Sequence, residues 1–436
     1  MESQFSRRRM LSAGTGVSAL ALTAAWTNRV NADEDNGAGA DDNGRRLNRL
    51  VVSPAGPSDG GDFGPHTPGT RTSGLQEAFD AAKSQRKDLY ICGGSWTEGK
   101  NQPVVYFLNT TLQVPWMQDF RMDSGHAVLQ YTPKTGDAIE IDSQMSCSYR
   151  FGLVASNSNG AVVRLAPKTA GPDRFKVITS SDFHFNALVG GGGAWPGGES
   201  YNSNLDQEIR RIGTGLWIDG RPGSIDANTI DVTEIVGCER GLLVDAASSN
   251  NWIRATNIHL CHEHLVVGTS GDDRLRNNYI SAYLNSEGIA NAVGLRLAAQ
   301  FNRLDLTIGR MGMSRDVIFE AAASFNLVSG LSFSHGITNR AKEPTNRLIS
   351  IDHRSANLQS PVIPGSGEWC RNDSLTAVEV RIVNPGRVTE WSERSSGTEL
   401  TFAETLASGQ SFVLNPGDSI SITYEQPPSW HWKPIG

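Results

Sequence analysis

Asn228-Thr-Ile230-Asp-Val232, Asn251-Trp-Ile253-Arg-Ala255, Asn278-Tyr-Ile280-Ser-Ala282, Asn302-Arg-Leu304-Asp-Leu306 and Asn326-Leu-Val328-Ser-Gly330 are copies of one motif, whose Asn recurs at spacings of 23, 27, 24 and 24 residues. A second strand runs between the copies: Gly215-Leu-Trp-Ile-Asp219, Gly241-Leu-Leu-Val-Asp245, His264-Leu-Val-Val-Gly268, Gly294-Leu-Arg-Leu-Ala298 and Val317-Ile-Phe-Glu320. Two registers advance together, so one unit repeats. Each unit carries short period-2 strands bounded by Gly, Asn, Ser or Asp. Such strands cannot bury a face alone, whereas stacked coils of about 23 residues share one continuous core, as in a solenoid. Asn at the head of a strand is expected to occupy the tight bend itself, whose backbone it tolerates. Cys238 and Cys261 are expected to stack as neighbours on successive coils.

Working outward, Leu75, Ala78, Phe79 and Ala82 repeat at helical spacing behind Ser73-x-x-Gln76, which predicts an amphipathic helix opened by a capping box. Residues 33–60 are poor in apolar side chains and read as a flexible linker, so the solenoid is expected over 61–350. Residues 351–374 read as a connector. Residues 375–436 read as separate strands forming a small β cap on the open end of the solenoid, with Trp430 and Trp432 packed against the last coil. At the other end, Ser6-Arg7-Arg8-Arg9-Met10-Leu11, an apolar run from Thr15 to Trp26 and the small-residue site Val30-Asn31-Ala32 resemble a twin-arginine signal peptide over 1–32. That implies export, periplasmic or secreted, of a protein already folded, so the five cysteines need not pair. No later run is long and apolar enough to suggest a membrane span.

Composition agrees with this picture. Gly makes up 46 of 436 residues, above the average of about 7%, and the charged fraction of 19% is below the usual ~25%. This excludes a coiled coil, a collagen, a disulfide scaffold and a polycationic nucleic-acid binder. Residues 1–32 hold four Arg and one Glu, so the remaining chain has 35 basic and 45 acidic residues and a net charge of −10. Nucleic acid is therefore not an expected partner, and a strongly anionic substrate would need a bridging cation.

The helix, then Asp88-Leu-Tyr-Ile-Cys-Gly-Gly94, Val105-Tyr-Phe-Leu-Asn-Thr-Thr-Leu-Gln-Val-Pro115 and Thr135-Gly-Asp-Ala-Ile-Glu-Ile-Asp142, resemble the opening of the pectate-lyase-like right-handed parallel β-helix superfamily, in its rhamnogalacturonase and epimerase-like branch. The resemblance covers about residues 60–350. It implies an all-β fold, a right-handed parallel β-helix with an N-terminal capping helix and a small C-terminal β appendage. It also implies that carbohydrate lies along the sheet formed by the Gly-Leu-x-x-Asp strands. The Asn-Thr-Asp, Asp-Asp and Gly-His-Gly signatures of the family hydrolases, and the Asp-Pro-His-Asp of uronan epimerases, do not occur, so no catalytic residue carries over by motif.

Alternation refines the location. If Leu216/Ile218, Leu242/Val244 and their equivalents point inward, one outward row runs Glu140, Arg164, Trp217, Leu243, Val266, Arg296, Ile318, and another contains Asp219 and Asp245. Stacked strands lie ~4.8 Å apart, which predicts Asp219 and Asp245 side by side on an open groove, with Trp217 as a sugar platform and Arg164 as a carboxylate fork. Such a pair can share a proton for acid/base chemistry, or hold Ca²⁺, the one cofactor considered. The bland alternative is two strand-end Asp capping turns. Cys261-His262-Glu263-His264 aligns with Cys238-Glu239-Arg240 one coil earlier. His262 and His264 are thus candidate bases, with Glu263 and Arg240 near the substrate, while the spacing makes a poor zinc site. The alternative is an exposed polar turn over a buried Cys ladder.

His184 and His335 carry weaker signals. A long insertion from Gly190 to Arg211 is expected to wall the groove with Trp195, Tyr201 and Asp206. The expectation is an exported polysaccharide lyase or glycoside hydrolase. A non-catalytic, tailspike-like glycan-binding protein is the alternative. The sequence leaves substrate and oligomeric state open.

Overall fold

The structure is a computed structural model describing residues 48–97, 100–172, 174–191, 211–269, 271–287, 289–309, 313–331, 336–342, 345–350, 360–395 and 397–435. The signal peptide, residues 33–47 of the linker, Trp195, Tyr201, Asp206 and His335 lie outside them. The chain is 53% strand and 4% helix, arranged in long parallel sheets of the kind found in a parallel β-helix or solenoid. The described residues form a 13-stranded and a nine-stranded sheet, with a short five-stranded one between them on five of the coils.

The repeat is what builds these sheets. Thr229–Val236, Trp252–His259, Tyr279–Asn285, Arg303–Ile308 and Leu327–Leu331 pair in parallel within the 13-stranded sheet, with Ile230, Ile253, Ile280, Leu304 and Val328 in one register row. All five are 0% exposed. The second strands form the nine-stranded sheet, whose Leu216/Ile218, Leu242/Val244, Leu265/Val267 and Leu295/Leu297 face the same core. Each apolar side chain is thus flanked by its equivalents one coil above and below, so the core extends along the stack. Cys238 and Cys261 are buried in it as neighbours, and all five cysteines are free thiols.

The repeating Asn has a different role from the expected one. The residue in the left-handed bend is its predecessor: Ala227, Asn250, Asn277, Phe301 and Phe325 have φ of +54 to +58°. The Asn side chain points along the stack. Asn228, Asn251, Asn278, Asn302 and Asn326 each donate Nδ2 to Oδ1 of the next Asn, ending at Asn346, at 2.8–3.4 Å. The same oxygens accept the backbone N–H of the Asn one coil earlier. The ladder satisfies buried amides that would each cost about 1–3 kcal/mol unpaired.

At the N-terminal end, α1 (Leu75–Gln85) buries Leu75, Ala78, Phe79 and Ala82, as the spacing predicts. Its start is shifted from the expected capping box. Gly74 is the N-cap, Thr72 Oγ1 accepts from Gln76 N at 2.9 Å, and Ser73 Oγ binds the backbone of Phe107. The linker expectation fails for its last third. Arg49–Val52 is an edge strand paired with Asp88–Ile91, and Leu50 and Val52 belong to the core.

At the C-terminal end, a four-stranded and a three-stranded antiparallel sheet enclose a core of their own. The expected connector is partly inside this unit, because Trp369–Arg371 pairs with Ser419–Gln426. Trp430 and Trp432 are also corrected: both fill this separate core, and Trp430 Nε1 donates to the Pro361 carbonyl at 2.7 Å. Leu375 makes the contact with the solenoid, buried in its core while its carbonyl accepts from Leu348 N at 2.7 Å.

Candidate functional site

On the nine-stranded sheet, Asp219 and Asp245 are register partners on adjacent coils. They do not form an open pair. Asp219 is 0% and Asp245 3% exposed. Arg164 Nε (3.0 Å) and Arg221 Nη2 (2.9 Å) donate to Asp219 Oδ2, and Arg221 Nε (2.7 Å) donates to Oδ1. Burial pushes the Asp219 carboxyl up, but the hydrogen bonds from Arg221 and Arg164 outweigh it and hold the group below the usual carboxylate range. Asp245 accepts from Ala246 N and from the Thr269 backbone and hydroxyl. The two carboxylates are therefore buried and bound by separate donors, and do not form the open pair expected on a groove. No group of three or more metal-ligating side chains occurs among the described residues.

The rest of this face is equally occupied. Arg164 also contacts Asp137 at 3.2 Å and Glu140 at 4.0 Å. The Arg164 and Arg221 guanidiniums lie 4.3 and 4.6 Å from the Trp217 ring centre, so its neighbours are cations and it is not an open sugar platform. Further along the row Leu243, Val266 and Ile318 are 2%, 1% and 5% exposed, which closes the expected open groove. Beside them Glu263 bridges Arg240 (3.1 Å) and Arg296 (2.7 Å), and Glu320 bridges Arg296 and Arg340.

The Cys-His-Glu-His segment divides in two. His262 meets Glu239 at 2.6 Å, half-exposed, as the alignment of coils implied. His264 is 0% exposed, its ring nitrogens 3.1 and 3.0 Å from the Val293 and Asn285 carbonyls, and burial pushes its pKa down to about 4. Buried and turned to two backbone carbonyls, it is not a base at a groove edge.

The outer face of the 13-stranded sheet offers what this face lacks, and sequence reasoning missed it. Three register rows lie side by side. The first contains Trp252, Tyr279 and Arg303, the second Asp231, Arg254, Ser281, Asp305 and Ser329, the third Tyr283, Thr307 and Leu331. Trp252 is 56% exposed, with its ring 4.3 Å from that of Tyr279, and the Arg303 guanidinium lies 5.5 Å from the Tyr279 ring. Arg254 Nε contacts Asp231 at 2.9 Å. Asp305 accepts from the Tyr279 hydroxyl at 2.6 Å and from Ser329. Row two from Arg254 onward and row three line a depression of about 490 Å³. The signal was in the repeat itself. Trp252 and Tyr279 directly follow the ladder Asn, and alternation turns them outward.

Where these strands end, His259 lies between two carboxylates, Nε2 2.8 Å from Glu234 and Nδ1 3.0 Å from Glu287. Burial pushes the imidazole down, but Glu234 and Glu287 outweigh it and raise its pKa. His184 sits on the same outer face, with Nε2 3.0 Å from Asn186 Oδ1. No protein-family model matches the sequence, and no curated protein matches it either.

Proposed function

We propose that this chain is an exported, pectate-lyase-like, right-handed parallel β-helix protein that binds a polysaccharide in the groove of the 13-stranded sheet. The observation that carries the reading is the exposed Trp252–Tyr279 pair beside a 490 Å³ depression where the hydroxyls of Ser281, Thr307 and Ser329 and the charges of Arg254 and Asp305 lie among apolar side chains. Apolar surface with a few convergent polar groups, in a cleft of several hundred Å³, suits a small or extended ligand. Aromatic rings suit the C–H faces of pyranoses. Right-handedness follows from the parallel connections, which take that hand almost without exception. In this reading α1 closes the first coil, the C-terminal unit covers the last, and residues 1–32 direct export.

A second reading, cleavage of the bound chain as a lyase or hydrolase, is favoured by the Glu234–His259–Glu287 cluster at the end of the same strands. One experiment tests both. The purified protein is run through gels cast with neutral and uronic polysaccharides, while reducing ends and the ultraviolet absorbance of unsaturated product are followed. Retardation abolished by Trp252→Ala supports binding, and product formation abolished by His259→Gln adds catalysis. Migration unaffected by every polysaccharide, with no product, rejects the proposal.

A further inference from the structure

We infer that the groove on the 13-stranded sheet selects a neutral glycan chain lying along the solenoid axis and rejects uronic chains. This rests on the reading that the groove holds a glycan. The charged side chains among the described residues lining the depression are Arg254 and Asp305, one of each sign. Both are already engaged, Arg254 by Asp231 and Asp305 by Tyr279 and Ser329. In the central row Asp231 lies one coil before Arg254, and Asp305 lies two coils after it. A sugar carboxylate turning to the Nη groups of Arg254, whose Nε is held by Asp231, would come to rest between the Asp231 and Asp305 carboxylates. Like charges at one or two coil spacings of ~4.8 Å repel. The second guanidinium nearby, Arg303, already lies 3.8 Å from Asp305, and exposed guanidiniums such as these offset little of that repulsion.

A neutral sugar meets no such conflict. Its hydroxyls both donate and accept, as do those of Ser281 and Thr307; Ser329, which donates to Asp305, can accept, and Asp305 keeps lone pairs free beyond the two hydrogen bonds it accepts. Tyr279 and Ser329 hold that carboxylate still, so it anchors a sugar hydroxyl without losing side-chain freedom on binding. On the flanks, Trp252 and Tyr283 present aromatic surface, 56% and 37% exposed. Equivalent side chains repeat along the axis and not across it, which sets the direction of the chain.

The test is isothermal titration of the whole protein with neutral hexasaccharides (gluco-, xylo-, manno- and galacto-configured) and with hexagalacturonate, at low and high salt. The expected result is binding of at least one neutral hexasaccharide that is insensitive to salt and falls roughly tenfold in Trp252→Ala. Asp305→Asn should weaken the same ligand several-fold, because a charged acceptor becomes a neutral one. Tighter binding of hexagalacturonate than of any neutral chain, lost at high salt and strengthened by Asp305→Asn, overturns the inference while glycan binding stands. Binding of none of the five overturns the glycan reading as well. Circular dichroism of each variant shows that it is folded.

Discussion

On the nine-stranded sheet Arg164 and Arg221 close upon Asp219 and upon the ring of Trp217; on the 13-stranded sheet Trp252 keeps more than half its surface in solvent, and the polar row beside it faces a depression. Both faces are made by the same coils at the same rise. The difference lies in which side chains the register stacks next to one another. Where opposite charges fall on neighbouring coils at either end of a Trp, they neutralise each other and cover it. Where hydroxyls and aromatics fall there, they remain available. A row of functional-looking residues is therefore a site only if its neighbours in the stack leave it free.

The sharpest way to break the comparison is to remove the same group from each face. Asp219→Asn takes the wholly buried charge from between Arg221 and Arg164, leaving Arg164 with Asp137 and Glu140, and should cost about 3 kcal/mol in urea-melt stability. Asp305→Asn keeps one of the two acceptor oxygens, and the other hydroxyl, in an accessible groove, can turn to accept from the new amide or bind water, so it should cost less than about 1 kcal/mol. Equal losses would mean that the faces do not differ as described. The two tryptophans extend the test. Trp217→Ala should cost about 2 kcal/mol and leave glycan retention unchanged, whereas Trp252→Ala should leave stability within about 0.5 kcal/mol and abolish retention.

The fold was legible in the sequence because a solenoid writes its inner wall as a two-residue alternation. Leu216, Leu242, Leu265 and Leu295 could only share a core, and they do. The site was harder to read, since alternation supplies an outward row for every sheet without saying which row is covered. Asp219-x-Arg221 was a visible warning that the acid has a local partner, and the same spacing pairs Asp272 with Arg274. The role of Asn in the ladder was hidden for a related reason. Its positions mark the bend correctly, but whether the side chain or the backbone does the turning depends on contacts with the coils above and below. Arg49–Val52 was too short, and too near a Gly- and Pro-rich stretch, to stand out as a strand.

The two faces also bring two histidines into opposite environments, which separates them by pH. His264, on a strand of the nine-stranded sheet, is held neutral, with its pKa lowered from 6.5 to about 4. Between those values the unfolded chain binds a proton that the native state refuses. Stability should therefore fall as pH drops from 6.5 to 4, by roughly 3 kcal/mol, and then level with respect to this group. Chemical denaturation across that range should show a steeper slope in the wild type than in His264→Gln. Asp219, whose pKa is lowered from 3.8, adds its loss only at lower pH and does not blur the window.

His259, on a strand of the 13-stranded sheet, carries the smaller and opposite effect. Glu234 and Glu287 raise its pKa above 6.5, so the native state keeps a proton that the unfolded chain has already released. Its contribution is complete below pH 6.5 and disappears as pH rises through the folded value, so stability should decline on the alkaline side. Glu234 and Glu287 are both partly exposed, which screens the attraction and keeps the decline shallow. His259→Gln should flatten the alkaline limb and leave the acid limb intact, and His264→Gln should do the reverse. An alkaline limb that persists in His259→Gln would mean that the Glu–His–Glu cluster is not held as an ion triad, and it would remove the support for acid/base chemistry at the end of this sheet.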